Sequence, residues 1–237
     1  MSILPRPLLN ICTNLARALP AQPCLLCGAM SRHGAWCAAC DAALPYLPGE
    51  HCPFCAVPTP GAAACGRCLR KHPRFDRTVA VFAYAFPMDK LLQALKFSEQ
   101  LHLAPALADK LAERVAALPD RIIPMPLHPL RLRQRGHNQS FEIAKGVSSR
   151  LGVPLLPHAC LRVRDTPPQS TLKWKERSSN MRKAFQCTEN FTGMHVAMVD
   201  DVMTSGASLN ELALALRRAG AREVSAWVLA RTLPHSD

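Results

Sequence analysis

No stretch of this chain approaches the ~18 consecutive apolar residues of a membrane-spanning helix, so no membrane span is expected. The N-terminus also lacks the unbroken apolar core of a secretory signal, because Pro5, Pro7, Asn10, Asn14 and Arg17 interrupt it. Ala-Gln-Pro before Cys24 is a poor lipoprotein-type processing site. The expected location is cytoplasmic, where thiols stay reduced and paired cysteines more often hold metal than disulfides. Acidic residues are scarce where basic ones are dense. The formal charge is +12, and residues 126–183 hold 12 basic against 3 acidic residues. The other segments are milder: 8 against 3 in 1–78, 5 against 5 in 79–125, and 4 against 6 in 184–237. A field concentrated in one segment attracts polyphosphates or nucleic acid, although a solvated basic face has the same composition. Apolar residues are not lacking. At 49% hydrophobic and 19% charged, wholesale disorder is excluded, and 237 residues suffice for one α/β domain plus a small module.

Eight of the 11 cysteines form four Cys-x-x-Cys pairs. Cys24, Cys27, Cys37 and Cys40 recur 28 positions later as Cys52, Cys55, Cys65 and Cys68, with nine residues between the pairs of each copy. Two such pairs grip one Zn²⁺ tetrahedrally, and four thiolates leave no open position, so two structural zincs are expected. Consecutive pairing follows the repeat; a cross-braced pairing of first pair with third and second with fourth also stays open, and redox disulfides are the competing chemistry. Cys12, Cys160 and Cys187 have no partner spacing and read as ordinary thiols. The expected organisation is a lead-in over 1–20, a cysteine module over 21–75 and an α/β domain over 76–237.

Within that domain, Thr78–Phe86 is β-prone, Met88–Phe97 and Leu103–Leu118 carry apolar residues at helical spacing, and Arg121–Met125 is a short strand. Ser140–Leu151 reads as a helix capped by Asn138 or Ser140. Residues 162–183 are basic and aperiodic and read as a long loop. His195–Val199 is a buried strand, Leu209–Ala219 a helix and Glu223–Leu229 a closing strand. Alternating strands and helices predict a mainly parallel sheet with helices on both faces.

The segment from His195 to Glu211 carries the most chemistry. A strand runs into Asp200 and Asp201, then into a small-residue loop of Thr204, Ser205, Gly206, Ala207 and Ser208, then into a helix. Ligands of open α/β sheets bind beyond the carboxyl ends of strands, and loop amides with a helix N-terminus form an anion site. Gly206 lets the backbone approach a phosphate or take positive φ. The acids can accept from vicinal sugar hydroxyls or steer a hydrated Mg²⁺. Ser208-Leu-Asn-Glu211 also fits a capping box that would merely start the helix.

Val-Asp-Asp-Val-Met-Thr-Ser-Gly-Ala-Ser resembles the phosphoribosyl pyrophosphate signature of type I phosphoribosyltransferases. The resemblance implies ribose hydroxyls on Asp200 and Asp201 and the 5′-phosphate on Thr204 through Ser208. The four cysteine pairs, Leu91–Phe97, Pro124–Leu127, Arg135-Gly-His-Asn-Gln-Ser140, Thr166-Pro-Pro-Gln169, Leu172, Arg177, Asn180 and Ala184-Phe185 extend it. In order and spacing they are similar to the ComF/GntX family along nearly the whole chain. His137 departs from that pattern, which usually has an aromatic there, commonly Phe. The resemblance implies a double zinc ribbon joined to a type I phosphoribosyltransferase fold, with a role in DNA uptake or use of imported DNA.

Arg131, Arg133 and Arg135 follow the strand end where this fold places its pyrophosphate loop, and Arg135 belongs to the quoted run. Lys173, Lys175 and Arg177 sit in the basic loop, with Trp174 as a stacking platform suited to single strands or as a buried anchor. A loop there could cover the substrate and exclude water. The leading expectation is a transferase using phosphoribosyl pyrophosphate with Mg²⁺. A single-stranded DNA-binding module that keeps the fold, and a sensor of the sugar phosphate without turnover, are the alternatives. DNA-uptake machinery is the implied partner.

Overall fold

The apolar run at His195 becomes the first half of a nine-residue strand, and a second nine-residue strand follows from Glu223. Their inner residues are almost wholly buried on both faces, as central strands of a parallel sheet must be. The computed structural model describes residues 21–32, 34–97, 100–165 and 181–234. The chain forms two compact units, Met1–Leu44 and Pro45–Asp237. The boundary falls between the two cysteine repeats, whereas the sequence alone suggests a single cysteine module up to residue 75.

In the first unit, β1 (Gln22–Pro23) and β2 (Met30–Ser31) pair antiparallel, and α1 (Ala38–Ala42) follows with Cys37 as its N-cap. In the second unit, α2 (Gly66–Arg70) starts just after Cys65. The sheet is formed by β3 (Arg77–Ala83), β4 (Arg121–Pro124), β7 (His195–Met203) and β8 (Glu223–Arg231), in the order β3-β8-β7-β4 with every pair parallel. Between β3 and β4 come α3 (Met88–Phe97) and α4 (Leu103–Ala112). Helix α3 buries Met88, Leu91, Leu92 and Leu95, one stripe at helical spacing. Helix α4 stops at Ala112, short of the expected Leu118. Glu113, Arg114 and Ala116–Leu118 are exposed, and Pro119 disfavours a helical residue before it.

Past β4, α5 (Pro129–Arg135) and α6 (Gln139–Leu151) precede β5 (Cys160–Arg162), which pairs antiparallel with β6 (Phe185–Cys187). Helix α6 lies so close to α4 that a Cβ at Gly146 would meet the Ala108 Cβ at 2.6 Å. Helix α7 (Ala207–Arg218) joins β7 to β8. Residues 166–180, where Lys173, Trp174, Lys175 and Arg177 were singled out, lie outside the described residues, as do Cys12 and the lead-in 1–20. Arg162, read as the start of the basic loop, is instead a buried strand residue.

Candidate functional site

Because all four sheet strands run the same way, their carboxyl ends gather at one edge. There β7 extends past Val199 through Asp200 and Asp201 to Met203, so the acid pair sits within the strand rather than beyond it. Adjacent strand residues point to opposite faces, and the two acids take different partners. Ser140 donates its hydroxyl to Asp200 Oδ1 at 2.8 Å, and the Asp201 amide donates to the same oxygen at 3.0 Å. Asp201, only 3% exposed, is ion-paired with Lys96 at the end of α3. Burial and the neighbouring Asp201 carboxylate push the Asp200 carboxyl up to about 7, against the pull of Lys96, Ser140 and the Asp201 amide. Burial would lower the Lys96 ammonium, but the two carboxylates hold it above its ordinary value.

The loop after β7 leads into α7 through Gly206, whose φ of +79° is left-handed. Gly206 is the N-cap, and no side chain caps the helix. This overturns the capping-box reading of Ser208 and Glu211: Glu211 Oε2 instead accepts from the Lys183 amide at 3.1 Å. Ser205 Oγ accepts from the Ala207 amide at 3.3 Å. A helix start with glycine as its N-cap, behind a small-residue loop, directs a partial positive charge outward. Thr204, Ser205 and Ser208 are each half-buried there and carry hydroxyls.

The arginines expected on an exposed loop lie on α5. Helical geometry sorts them, since residues four apart share a face and residues two apart do not. Arg133 is exposed, whereas Arg131 and Arg135 are half-buried. Arg135 donates to Gln139 Oε1 at 2.6 Å and lies over the Phe97 ring at 5.3 Å. Burial lowers its pKa, with Asp201 and Asp200 opposing and Arg131 adding to the fall. Burial likewise lowers Arg162, which feels Arg131 and Asp200. The acid pair therefore acts on Lys96, Arg135 and Arg162, and Arg131 lies near the two arginines.

The Arg135–Ser140 run is the frame of this site. His137 Nε2 is 2.8 Å from the Leu95 carbonyl, Asn138 caps α6 and donates Nδ2 to the Met125 carbonyl at 3.1 Å, and Ser140 holds Asp200. His137, the departure from the family's aromatic, ties α6 to α3 through a polar contact. Sequence reasoning passed over Lys96, although its place four residues after buried Leu92 put it on the inward side of α3. It also missed Arg231. That side chain is 1% exposed and donates to the Cys55 carbonyl at 2.7 Å, the Met203 carbonyl at 2.9 Å and the Thr204 carbonyl at 2.6 Å. One buried guanidinium thus joins the second cysteine knuckle to the start of the Thr204–Ser208 loop.

The cysteines group consecutively: Cys24, Cys27, Cys37 and Cys40 in one set, Cys52, Cys55, Cys65 and Cys68 in the other, each with its sulfurs within 4.8 Å of one another. An ion about 2.3 Å from four sulfurs sets neighbouring sulfurs about 3.8 Å apart. Cys27 and Cys37 are 3.8 Å apart, and Cys55 and Cys65 are 3.6 Å apart. Against the effect of burial, backbone amides bring Cys24 down to about 6 and Cys65 to about 7. Hydrogen bonds with Cys27 and Cys37 raise Cys40, and burial with neighbouring thiols raises Cys68. Four cysteine sulfurs at this spacing fit a tetrahedral cation, and the donor set suits Zn²⁺.

The comparisons agree with this architecture. A double zinc ribbon domain model matches residues 15–69 and a phosphoribosyl transferase domain model matches residues 137–234. The DNA utilization protein YhgH of Shigella flexneri is 38% identical over 221 residues, covering 89% of this chain and 97% of that protein. Competence protein F of Haemophilus influenzae is 34% identical over 207 residues, covering 82% and 90%. Competence protein ComFC of Bacillus subtilis is 27% identical over 209 residues, covering 83% and 84%. The fold is that of a type I phosphoribosyltransferase, preceded by two tetracysteine zinc-ribbon sites.

Proposed function

The chain belongs to the ComF/GntX family, and we propose that its Pro45–Asp237 unit binds phosphoribosyl pyrophosphate with Mg²⁺ and transfers the ribose 5-phosphate to an acceptor during use of imported DNA. The observation that carries this reading is an acid pair fixed near the end of β7, followed by a small-residue loop into a helix whose N-cap is Gly206. Asp200 and Asp201 accept from the ribose hydroxyls, while the amides and hydroxyls of Thr204–Ser208 hold the 5′-phosphate. Arg131 and Arg135 neutralise the pyrophosphate side. A Mg²⁺ carried by the pyrophosphate supplies further charge neutralisation when bound, and the oxygen-only donors of this edge suit it. No side chain is required as a covalent nucleophile. Positioning and fixed charge lower the barrier as the anomeric bond to pyrophosphate breaks and an acceptor atom adds.

Calorimetry with Mg²⁺ and phosphoribosyl pyrophosphate tests the reading. The zinc-loaded wild type is expected to bind, and Asp200→Asn with Asp201→Asn to weaken binding at least ~100-fold, the loss of two charge-assisted hydrogen bonds. Absence of heat from folded wild type overturns it. Release of pyrophosphate with a nucleophile supplied separates turnover from sensing.

The basic excess in residues 126–183 and the names of the relatives favour a second reading, direct handling of single-stranded DNA. It requires binding that falls steeply with salt and weakens when Lys173, Lys175 and Arg177 are neutralised. Unchanged affinity after neutralisation sinks it.

A further inference from the structure

Cys160 and Cys187 were read as ordinary thiols, yet β5 and β6 bring them directly opposite each other. The Thr188 amide donates to the Ala159 carbonyl and the Val163 amide to the Ala184 carbonyl, both at 2.9 Å. Hydrogen-bonded and non-hydrogen-bonded pairs alternate along an antiparallel ladder, so Cys160 and Cys187 form a non-hydrogen-bonded pair, the type with Cα atoms about 4.5 Å apart. That spacing lies within the range a disulfide spans. The sulfurs are 2.7 Å apart, against 3.8 Å and 3.6 Å for the sulfur pairs in the tetracysteine sets. A metal edge does not account for so short a separation. Among the described residues, moreover, this pair joins no group of three or more potential ligands.

We propose that Cys160 and Cys187 are an oxidisable dithiol that closes to a disulfide under peroxide. Cys187 is the attacking sulfur. It is half-buried and lines an open cleft of about 630 Å³ with Thr188, Asn190, Thr192 and Arg218, whereas Cys160 is 1% exposed. Their contact lowers the Cys187 thiol, while the contact and burial raise Cys160, which favours thiolate at the more exposed sulfur. The Cys187 thiolate attacks one oxygen of hydrogen peroxide, the O–O bond breaks, and a sulfenic acid forms with hydroxide leaving. Cys160 sulfur then attacks the Cys187 sulfur and expels the second hydroxide. Its own proton and the one lost from Cys187 convert both hydroxides to water, so two thiols and one peroxide give one disulfide and two waters. In a reducing compartment the resting state is the dithiol. The bond links the two strands through which the basic segment joins the domain. The inference stands on the cysteine geometry and not on the ligand proposed above.

The test treats the zinc-loaded full chain with peroxide, blocks remaining thiols, and maps peptides by mass spectrometry while counting zinc. A Cys160–Cys187 cross-linked peptide pair, lighter by two hydrogens, is expected with both zincs retained. The closed ring should raise the melting temperature by roughly 5–10 °C, a rise that Cys160→Ser with Cys187→Ser abolishes. Full alkylation of both thiols after peroxide treatment overturns the proposal. So does a cross-link from either residue to a tetracysteine sulfur, or zinc loss preceding cross-linking. The mapping is read on the wild type, so it holds even where a serine variant fails to fold.

Discussion

The two cysteine knuckles have the same spacing and opposite situations. The first closes within its own short unit: amides of Cys37 and Cys40 donate to the sulfurs of Cys24 and Cys37, Cys27 is exposed, and only Cys24 of the four is buried. The second is part of the core of the larger unit. Cys52, Cys55 and Cys68 are buried there with Ala56 and Phe75. Thr78 of β3 donates its amide to the Pro53 carbonyl at 2.9 Å and its hydroxyl to the Phe54 carbonyl at 2.6 Å. The knuckle therefore covers the edge strand of the sheet, which would otherwise present unpaired backbone groups. The two repeats carry the same tetracysteine spacing, and only the second packs into the core beneath the sheet.

The largest effect should come from breaking each knuckle separately. Structural zinc contributes about 10 kcal/mol or more to small metal-held folds, comparable to a domain's whole stability. Cys55→Ser or Cys68→Ser is therefore expected to abolish the cooperative melting transition of the Pro45–Asp237 unit. Cys27→Ser or Cys37→Ser should lose one of the two zincs and leave that transition within a few degrees of wild type. Calorimetric melts paired with zinc counts decide the matter; equal losses from both sites would erase the contrast.

A smaller effect sharpens the link between the second knuckle and the ligand. Arg231→Met leaves the carbonyls of Cys55 and Thr204 without this donor and the Met203 carbonyl with the Thr232 amide alone. The expected cost is about 3–5 kcal/mol, with the melting temperature falling by roughly 10 °C. Measured where the variant is still folded, affinity for phosphoribosyl pyrophosphate should drop ~10-fold, because the loop origin at Met203 and Thr204 is no longer fixed. Arg231→Lys, a cation without the planar fork, should recover part of the stability and less of the affinity. Lost stability with unchanged affinity would make Arg231 a brace alone.

Why sequence reading found some of this and not the rest follows from the range of each interaction. The Asp200–Ser208 segment is local: strand, acids, small residues and helix start are contiguous, so its strand–loop–helix layout was legible. The tetracysteine sets were legible from spacing, but spacing is the same in both copies and carries nothing about which one the core absorbs. The contacts that frame the site come from afar, with Ser140 and Asp200 60 positions apart and Arg231 and Cys55 176 apart. Cys160 and Cys187, 27 positions apart, meet only because β5 and β6 pair, and neither three-residue strand shows a period. Helix α5 was missed because it buries no residue and so has no apolar stripe. Its one local signal was Pro129 at the start and Gly136 just past the end.

The smallest effect separates the two knuckle regions by pH. Asp200 is held up at about 7, against an ordinary carboxyl near 3.8. Between those values the folded chain keeps a proton that the unfolded chain has released, so stability from this group falls as pH rises and levels off above about 7. Asp200→Asn removes the titration yet keeps an oxygen to accept from Ser140 and the Asp201 amide. The variant should melt a few degrees above wild type at about pH 8, and the gap should narrow through about pH 5 and close below about pH 4. Ligand affinity in the wild type should move the other way, falling up to ~10-fold per pH unit below about 7 as the carboxylate acceptor is protonated. Zinc retention by the first knuckle at about pH 8 should be the same in both proteins, because nothing in its own unit changes. A variant less stable than wild type at about pH 8 would mean that the Asp200 carboxylate supports the folded sheet, and that its burial is not a cost retained for binding.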